Sequence, residues 1–472
     1  MPAYDRIYLN GAWTPSHNPA RLTVVDPATE QPLARVPAGT ARDADAAVTA
    51  ARAAFGPWSR TGVAERAGYL RAIAAELTRR AGDLAQLITQ DVGCPIAFSR
   101  AVQVTLPVNS FLQAAQTALT HPFEQRQGPS LVVREPYGVV AAITPWNFPL
   151  HQVAAKVAYA LAGGNTVVLK PSELAPLSVW HLTDIIDFVG LPPGVFNLVS
   201  GTGPDVGEAL AAHPEVDVVS FTGSTRAGRR VASMAAETIK KVTLELGGKS
   251  PAVMLPDADP ARVVPAVMAA SFLNNGQTCS ALTRLIVPRS VLAETEELAR
   301  HCAREWVPAD PGHEQTRLGP LISSAQRHQV RTHIRNALAS GAKLVTGGEA
   351  PPPEPSRGFF VRPTILSRVT SDMAIHHQEV FGPVLAIETY ETQAEAVRIA
   401  NNTNYGLAAA VWSADEDRAL AVARELRAGQ IQVNGSAFDP NAPFGGYKQS
   451  GNGREGGRAG LEELLETKAI QL

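Results

Sequence analysis

The sequence predicts an α/β protein, with a doubly wound parallel sheet in its first half and a second α/β unit after it. Three observations predict this. Between Val139 and Leu246, five short apolar runs lack the polar alternation of a half-exposed strand. Stretches long enough for crossover helices separate those runs, and a similar alternation resumes from about Pro251 to Val433. Strands that are apolar throughout and joined by helices are covered on both faces, which is the texture of a parallel sheet.

The elements follow in order. The first third reads as helical: Asp43 and Asp45 precede an Ala-rich segment to Phe55. Leu70, Ile73, Ala74 and Leu77 then recur at helical spacing, as do Leu84, Leu87 and Ile88. The pair Gly56 and Pro57 is expected to separate these stretches. Leu131–Arg134 reads as a short strand with a basic end. The apolar runs are Val139–Ile143, Thr166–Leu169, Phe196–Val199, Val218–Phe221 and Val242–Leu246. Between them lie His151–Ala162, Pro176–Val189, Pro204–Ala212 and Ser224–Ala236, each of helix length. The second unit reads as a helix over Pro260–Asn275, strands over Arg284–Val287, Leu385–Tyr390 and Leu407–Val411, and a helix over Glu391–Asn401. Pro-rich Ala350–Ser356 is a surface loop, and the tail Leu461–Leu472 is expected to add a strand elsewhere.

A chain of 472 residues allows two or three domains at roughly 150 residues each. Lys and Arg total 42 against 44 Asp and Glu, a formal charge of −2, which gives no electrostatic attraction to nucleic acid or an anionic membrane. Charged residues are 18%, below the roughly 25% usual for soluble domains. Surface hidden between copies of a homo-oligomer explains that shortfall. Three cysteines, Cys94, Cys279 and Cys302, are too few for a disulfide framework. With no signal-type or bilayer-length apolar run, a cytoplasmic protein is expected.

Cys279, in Asn275-Gly276-Gln277-Thr278-Cys279-Ser280, sits where a helical run meets a turn. Turn amides there are expected to lower the thiol pKa for nucleophilic work; the alternative is a buried packing thiol. Cys94 and Cys302 fit that alternative. Glu245 ends an apolar strand, where active sites of α/β sheets open, and partial burial would raise its pKa into the range of a useful base. An ion pair with Lys249 or Lys241 is an equal reading. Asn147 follows a strand in Thr144-Pro145-Trp146-Asn147-Phe148-Pro149 and is either an oxyanion donor or a turn residue. Lys170 and Glu173 follow another strand and suit the two hydroxyls of an adenosine ribose, or form a solvated pair. The turns Gly201–Gly207 and Gly223–Gly228 permit close backbone approach to a pyrophosphate, yet neither matches the usual dinucleotide fingerprint. No metal-ligand spacing and no basic-aromatic surface occurs.

ITPWNFP, LKPSE, FTGST, LELGGKSP, NNGQTCS, EVFGPV and PFGGYKQSGNGRE occur in that order. Together they make the chain, from roughly Tyr8 to Leu472, resemble the aldehyde dehydrogenase superfamily of the NAD(P)-dependent, hydrolytic, non-acylating type. The resemblance implies a Rossmann-like cofactor domain (1–120 plus 139–245), an α/β catalytic domain (246–435) and a small β bridging element (121–138 plus 459–472) that pairs subunits into a homo-oligomer. It implies that Cys279 attacks the aldehyde, that Asn147 with the Cys279 amide forms the oxyanion hole, and that Glu245 activates the hydrolytic water. For the cofactor it implies contacts from Ile143, Thr144, Pro145, Trp146, Lys170, Ser172, Glu173, Gly203, Gly207, Phe221, Gly223 and Ser224, with Glu379 and Phe381 at the nicotinamide end.

Glu245 in the LELGG motif favours hydrolysis over transfer to coenzyme A. Glu173 would repel a 2′-phosphate, favouring NAD over NADP. Phe148, Ala155, Thr278, Ser280, Phe438 and Phe444 align as walls of a substrate tunnel. That tunnel suits medium-chain or aromatic aldehydes, and no Arg or Lys at these positions demands an anionic one. Leu464 stands where relatives often carry an aromatic ring. The competing readings are a coenzyme A-acylating semialdehyde dehydrogenase and a non-catalytic structural relative. A cysteine hydrolase ranks below them, because no His lies in a motif flanking Cys279.

Overall fold

The structure, a computed structural model, describes residues 4–472. The five apolar runs form the parallel centre of an eight-stranded sheet. Across that sheet the strands run Gly451–Asn452, Lys241–Glu245, Val218–Thr222, Val139–Ile143, Thr166–Lys170, Phe196–Leu198, Ile7–Leu9 and Ala12–Thr14. From Val139–Ile143 the chain winds outward one way through Thr166–Lys170 and the other way through Val218–Thr222. Strand order therefore reverses between Val139–Ile143 and Val218–Thr222, and in such sheets a crevice opens beyond the carboxyl ends at that point.

Both faces are covered. On one, Ala44, Ala47 and Ala51 of the helix Ala41–Ser59 pack on Val139 and Ala141, where small side chains let helix and sheet approach closely. On the other, the helix Pro149–Gly163 is buried at all but one position, among Leu150, Val153, Val157 and Leu161. Each large apolar side chain buried in this way contributes about 1.5–3 kcal/mol.

A second, seven-stranded sheet orders Lys343–Thr346, Thr364–Ser367, Val384–Tyr390, Arg284–Pro288, Pro251–Met254, Ala408–Trp412 and Gln430–Val433, parallel except for the first. A third sheet joins Leu465–Gln471, Ser130–Pro136 and Glu124–Gln127, all antiparallel. The tail strand expected from the sequence pairs over seven residues, from Leu465 opposite Pro136 to Gln471 opposite Ser130. Among the described residues, no helix is long and apolar enough to cross a membrane.

Several sequence expectations need correction. The first third is not wholly helical: short strands at Ile7–Leu9, Ala12–Thr14, Arg21–Val25 and Pro32–Pro37 precede the helices. Gly56 and Pro57 do not end the first helix, which runs to Ser59, because Pro57 lies in the last turn, where the chain still accepts a helical φ. The break falls instead at Arg60–Gly62. The helix expected to reach Asn275 stops at Phe272. There Asn274 and Asn275 turn into the left-handed region at φ 50° and 60°, which Asn tolerates better than most side chains. Cys302 is only half-buried, against the edge of the second core. Leu464 packs into this chain's own core, and its carbonyl accepts from Asn165 Nδ2 at 2.9 Å.

Candidate active site

Cys279 is delivered by the left-handed turn after the helix Pro260–Phe272. That turn is tightly specified. Asn275 Nδ2 donates to the carbonyls of Gly93 and Pro320, each at 2.9 Å, and its Oδ1 accepts from Gly319 N at 2.7 Å. Gly276, at φ 72°, leaves no room for a side chain: a Cβ would lie 2.2 Å from the Gly382 backbone. Gly248 packs in the same way on the Cys279 carbonyl, with a Cβ only 2.7 Å away. The second unit's loop is thus pressed onto the carboxyl ends of the first sheet.

Asn147 meets it there. Its Nδ2 donates to the Gln277 carbonyl at 2.9 Å, leaving the second amide proton free. Its own carbonyl accepts from Gln103 Nε2 at 2.9 Å and Asn274 Nδ2 at 2.8 Å. Buried and held on three sides, Asn147 is no surface turn residue. The Cys279 N–H has no backbone or side-chain acceptor among the described residues.

Glu245 ends its strand opposite Thr222, close enough for its charge to act on the Cys279 thiol. Neither carboxylate oxygen has a hydrogen-bond partner, although the residue is buried. Burial pushes its pKa well up, as expected from the sequence; Glu455 pushes it further, and Lys156 and Arg454 oppose. The alternative ion pairs are absent: Lys241 instead pairs with Glu463 at 2.8 Å. The thiol departs from expectation. Burial raises Cys279 to about 12, with the Glu245 and Glu379 charges acting the same way, and only the Ser280 backbone N–H opposes. The turn amides do not outweigh burial among carboxylates.

The expected cofactor residues from Ile143 to Ser224 lie just at or beyond the carboxyl ends of four adjacent strands, and Glu379 and Phe381 come from the second unit, ahead of Val384–Tyr390. Lys170 is buried, its Nζ donating to the Pro171 carbonyl at 2.8 Å and to Glu173 at 3.3 Å, with its chain 3.7 Å from where a Gly207 Cβ would lie. Burial lowers its pKa, and Glu173 opposes that. Ser172 Oγ accepts from Leu174 N at 3.3 Å, and Thr144 N donates to the Lys170 carbonyl at 3.1 Å. Ser224 caps the helix Thr225–Ala235, accepting from Ala227 N at 3.3 Å, and Gly223 fits beneath the Phe221 ring, 2.6 Å from a would-be Cβ. Gly203 opens the turn Gly203–Gly207. Ile143 ends its strand, Pro145 follows, and the Trp146 ring meets Phe381 edge-on at 5.4 Å and 88°. Phe381 holds a φ of 57°, strained for an aromatic residue, and Gln326 Nε2 ties its carbonyl at 2.8 Å. Glu379 accepts from Gly248 N at 3.0 Å, and burial lifts its carboxyl to about 7. A Cβ on Gly247 would come within 2.2 Å of that carboxylate.

A cavity of about 440 Å³ opens onto Cys279. All six predicted tunnel residues line it: Phe148, Ala155, Thr278, Ser280, Phe438 and Phe444. Phe438 stacks edge-on against Phe444 at 6.1 Å, and Phe148 against Phe98 at 6.0 Å. Sequence reasoning missed Phe98, His151, Gln152 and Glu455 on these walls, and Lys156, which pairs with Glu455 behind Glu245. A signal existed. His151, Gln152 and Lys156 are polar residues within the otherwise apolar run Leu150–Ala162, where burial of a charge needs a reason. No His lies beside Cys279 in sequence, yet the fold brings His151 to the same cavity. No described hydrogen bond joins it to the thiol; its Nδ1 faces Ser110 Oγ instead.

A model of the aldehyde dehydrogenase family matches residues 13–470. A 3-succinoylsemialdehyde-pyridine dehydrogenase of a Pseudomonas species is 48% identical over 100% of this chain and 99% of its own. Aldehyde dehydrogenase C of Pseudomonas syringae, solved as a mutant with NAD+ and octanal, superposes with a TM-score of 0.98 at 50% identity, covering 99% of this chain and 96% of that one. Betaine aldehyde dehydrogenase of Staphylococcus aureus with NAD+ gives 0.96 at 36% identity, covering 99% and 94%. Matched along nearly its whole length in sequence and in fold, the chain belongs to the aldehyde dehydrogenase family.

Proposed function

We propose that this chain oxidises a medium-chain or aromatic aldehyde to the carboxylic acid, with NAD as hydride acceptor, Cys279 as nucleophile and Glu245 as base. The observation that carries the reading is a half-buried thiol in the electrostatic reach of a carboxylate whose two oxygens lack partners. A thiol raised to about 12 is protonated at neutral pH, so it needs a base at hand. Glu245, with its own pKa raised, takes that proton. The sulfur then bonds to the carbonyl carbon, and the carbonyl electrons move to oxygen. The free Asn147 amide proton and the Cys279 N–H receive that oxyanion.

NAD, when bound, supplies the acceptor for the hydride that leaves this adduct as it becomes a thioester. Lys170 and Glu173 would hold the adenosine ribose, and Ser172 would support their turn. Ser224 with Gly223 and the Gly203–Gly207 turn would meet the pyrophosphate, and Glu379 and Phe381 the nicotinamide ribose and ring. The close backbone approach at Gly223 and Gly247 and the buried Lys170 fit such a ligand. Glu173 would disfavour a 2′-phosphate. Glu245, having released that first proton to solvent, next draws a proton from water, whose oxygen attacks the thioester carbon; the carbon–sulfur bond breaks, the sulfur takes the proton from Glu245, and the acid departs. The Lys156–Glu455 pair sets the charge against which Glu245 works.

The substrate range follows from a largely apolar cavity whose lining holds no Arg or Lys. The octanal-bound relative supports medium chains, and the pyridine semialdehyde relative supports an aromatic ring. The test is reduction of NAD by octanal and by 3-phenylpropanal without coenzyme A, with NADP used less efficiently. A strict requirement for coenzyme A would select the acylating alternative. In this reading 1–120 with 139–245 is the cofactor domain, 246–435 the catalytic domain, and 121–138 with 459–472 the bridging element. Segment 436–458, allotted to none of these, returns to the first sheet through Gly451–Asn452. Ile470 and Leu472, 40% and 70% exposed, support the tail strand's covering by a second copy. Sedimentation should show a dimer or tetramer; a stable monomer at micromolar concentration would contradict it.

A further inference from the structure

The cavity has two unlike walls. Its apolar side carries Phe438 and Phe444; the other is the helix Pro149–Gly163, which turns His151, Gln152 and Ala155 toward the substrate space. His151 and Gln152 serve no step derived above, and neither is a surface residue. Gln152 is 6% exposed, and its Oε1 has no partner among the described residues. His151 Nδ1 lies 3.5 Å from Ser110 Oγ. Ser110 spends its only proton on the Leu106 carbonyl at 3.0 Å, so toward His151 it presents a lone pair. Two lone pairs facing one another repel, so the proton of a neutral imidazole sits on Nδ1. Nε2, which has no described partner, is then a bare acceptor. Burial keeps the ring neutral, lowering it to about 4, with Glu455 opposing and Lys156 assisting. The wall thus offers one open acceptor, at His151, and no cation.

We propose that His151 Nε2 selects aldehydes bearing a neutral hydrogen-bond donor, a hydroxyl, on the part of the molecule that lies against this wall. The inference rests on the proposed aldehyde oxidation and names its substrate class: a hydroxylated aryl or alkyl aldehyde. A carboxylate would meet that acceptor and no counter-charge. A quaternary ammonium has no proton to donate to His151, and the carboxylate on the cavity wall, Glu455, is already paired with Lys156. A hydroxyl fills the vacancy, and a site built to bond it should reject the analogue lacking it.

The experiment compares three near-isosteric substrates, 3-(4-hydroxyphenyl)propanal and its 4-methoxy and 4-methyl counterparts, by kcat/KM. The hydroxyl compound should exceed both others by about tenfold, chiefly through KM. In His151→Leu that ratio should fall toward one, and His151→Gln, which restores an acceptor, should recover part of it. His151→Met serves as the second variant if His151→Leu fails to fold. Methoxy equal to or better than hydroxyl in the unaltered enzyme would overturn the proposal, as would a ratio unchanged in whichever of the two variants folds. Failure to oxidise any of the three, or octanal, would instead overturn the aldehyde reading beneath it.

Discussion

Replacing Cys279 with alanine should lower kcat for aldehyde oxidation by at least about a thousandfold, because the covalent route is lost with the sulfur. The geometry makes this loss hard to offset. Asn147, Asn274 and Asn275 hold the loop through five side-chain bonds to backbone groups, none of which involves the thiol. The variant should therefore fold and bind NAD with little change, read by fluorescence titration or by a thermal shift with added cofactor. At neutral pH the thiol is uncharged, so its removal relieves no buried charge and Tm should change little. Loss of NAD binding together with activity would mean that Cys279 supports the loop rather than the chemistry. Retained activity would remove it from the mechanism altogether.

Much of this site was legible because strand ends are local features. Val139–Ile143, Thr166–Leu169 and Val242–Leu246 announce buried parallel strands, and Asn147, Lys170 and Glu245 are simply the polar residues at or just past their ends. The ordered motifs then imply one role for each ambiguous residue. What pairwise spacing does not carry is convergence. Lys156 and Glu455 are 299 positions apart and meet only when the loop after Phe444 folds back over the first sheet. His151 precedes Cys279 by 128 positions, so no motif flanking the cysteine contains it.

The electrostatics were legible in one direction only. A carboxylate at a strand end announces its own raised pKa, since burial is predictable from the apolar run it terminates. The Cys279 thiol does not, because its state depends on burial where the two units meet and on Glu245 and Glu379, which arrive from other elements. The four short strands before Ala41 were missed for a different reason. Ile7–Leu9 and Ala12–Thr14 have three residues each, too few to show a period, and they add to an existing sheet rather than found one.

Exchanging Glu245 for glutamine should separate the two halves of the reaction. The amide cannot take a proton from water, and general-base contributions of about a hundred- to ten-thousandfold set the expected loss in steady-state kcat. The shape stays nearly the same, and no described hydrogen bond to the carboxylate is broken. If hydrolysis suffers most, mixing enzyme with aldehyde and NAD should give up to one equivalent of reduced cofactor per site, followed by very slow turnover. Intact-protein mass spectrometry should then find the acyl group on Cys279. The pH profile supplies an independent check with a definite sign. The working form of Glu245 is the ionised one, and burial with Glu455 raises its pKa, so kcat of the unaltered enzyme should climb as pH rises through that value. In Glu245→Gln that limb should vanish. A burst that disappears along with steady-state turnover would assign Glu245 chiefly to deprotonating the thiol, a task its charge beside Cys279 also fits. An unchanged kcat and an unchanged profile would leave the hydrolytic water to another base, and Glu455, on the same cavity wall, would be the next carboxylate to replace.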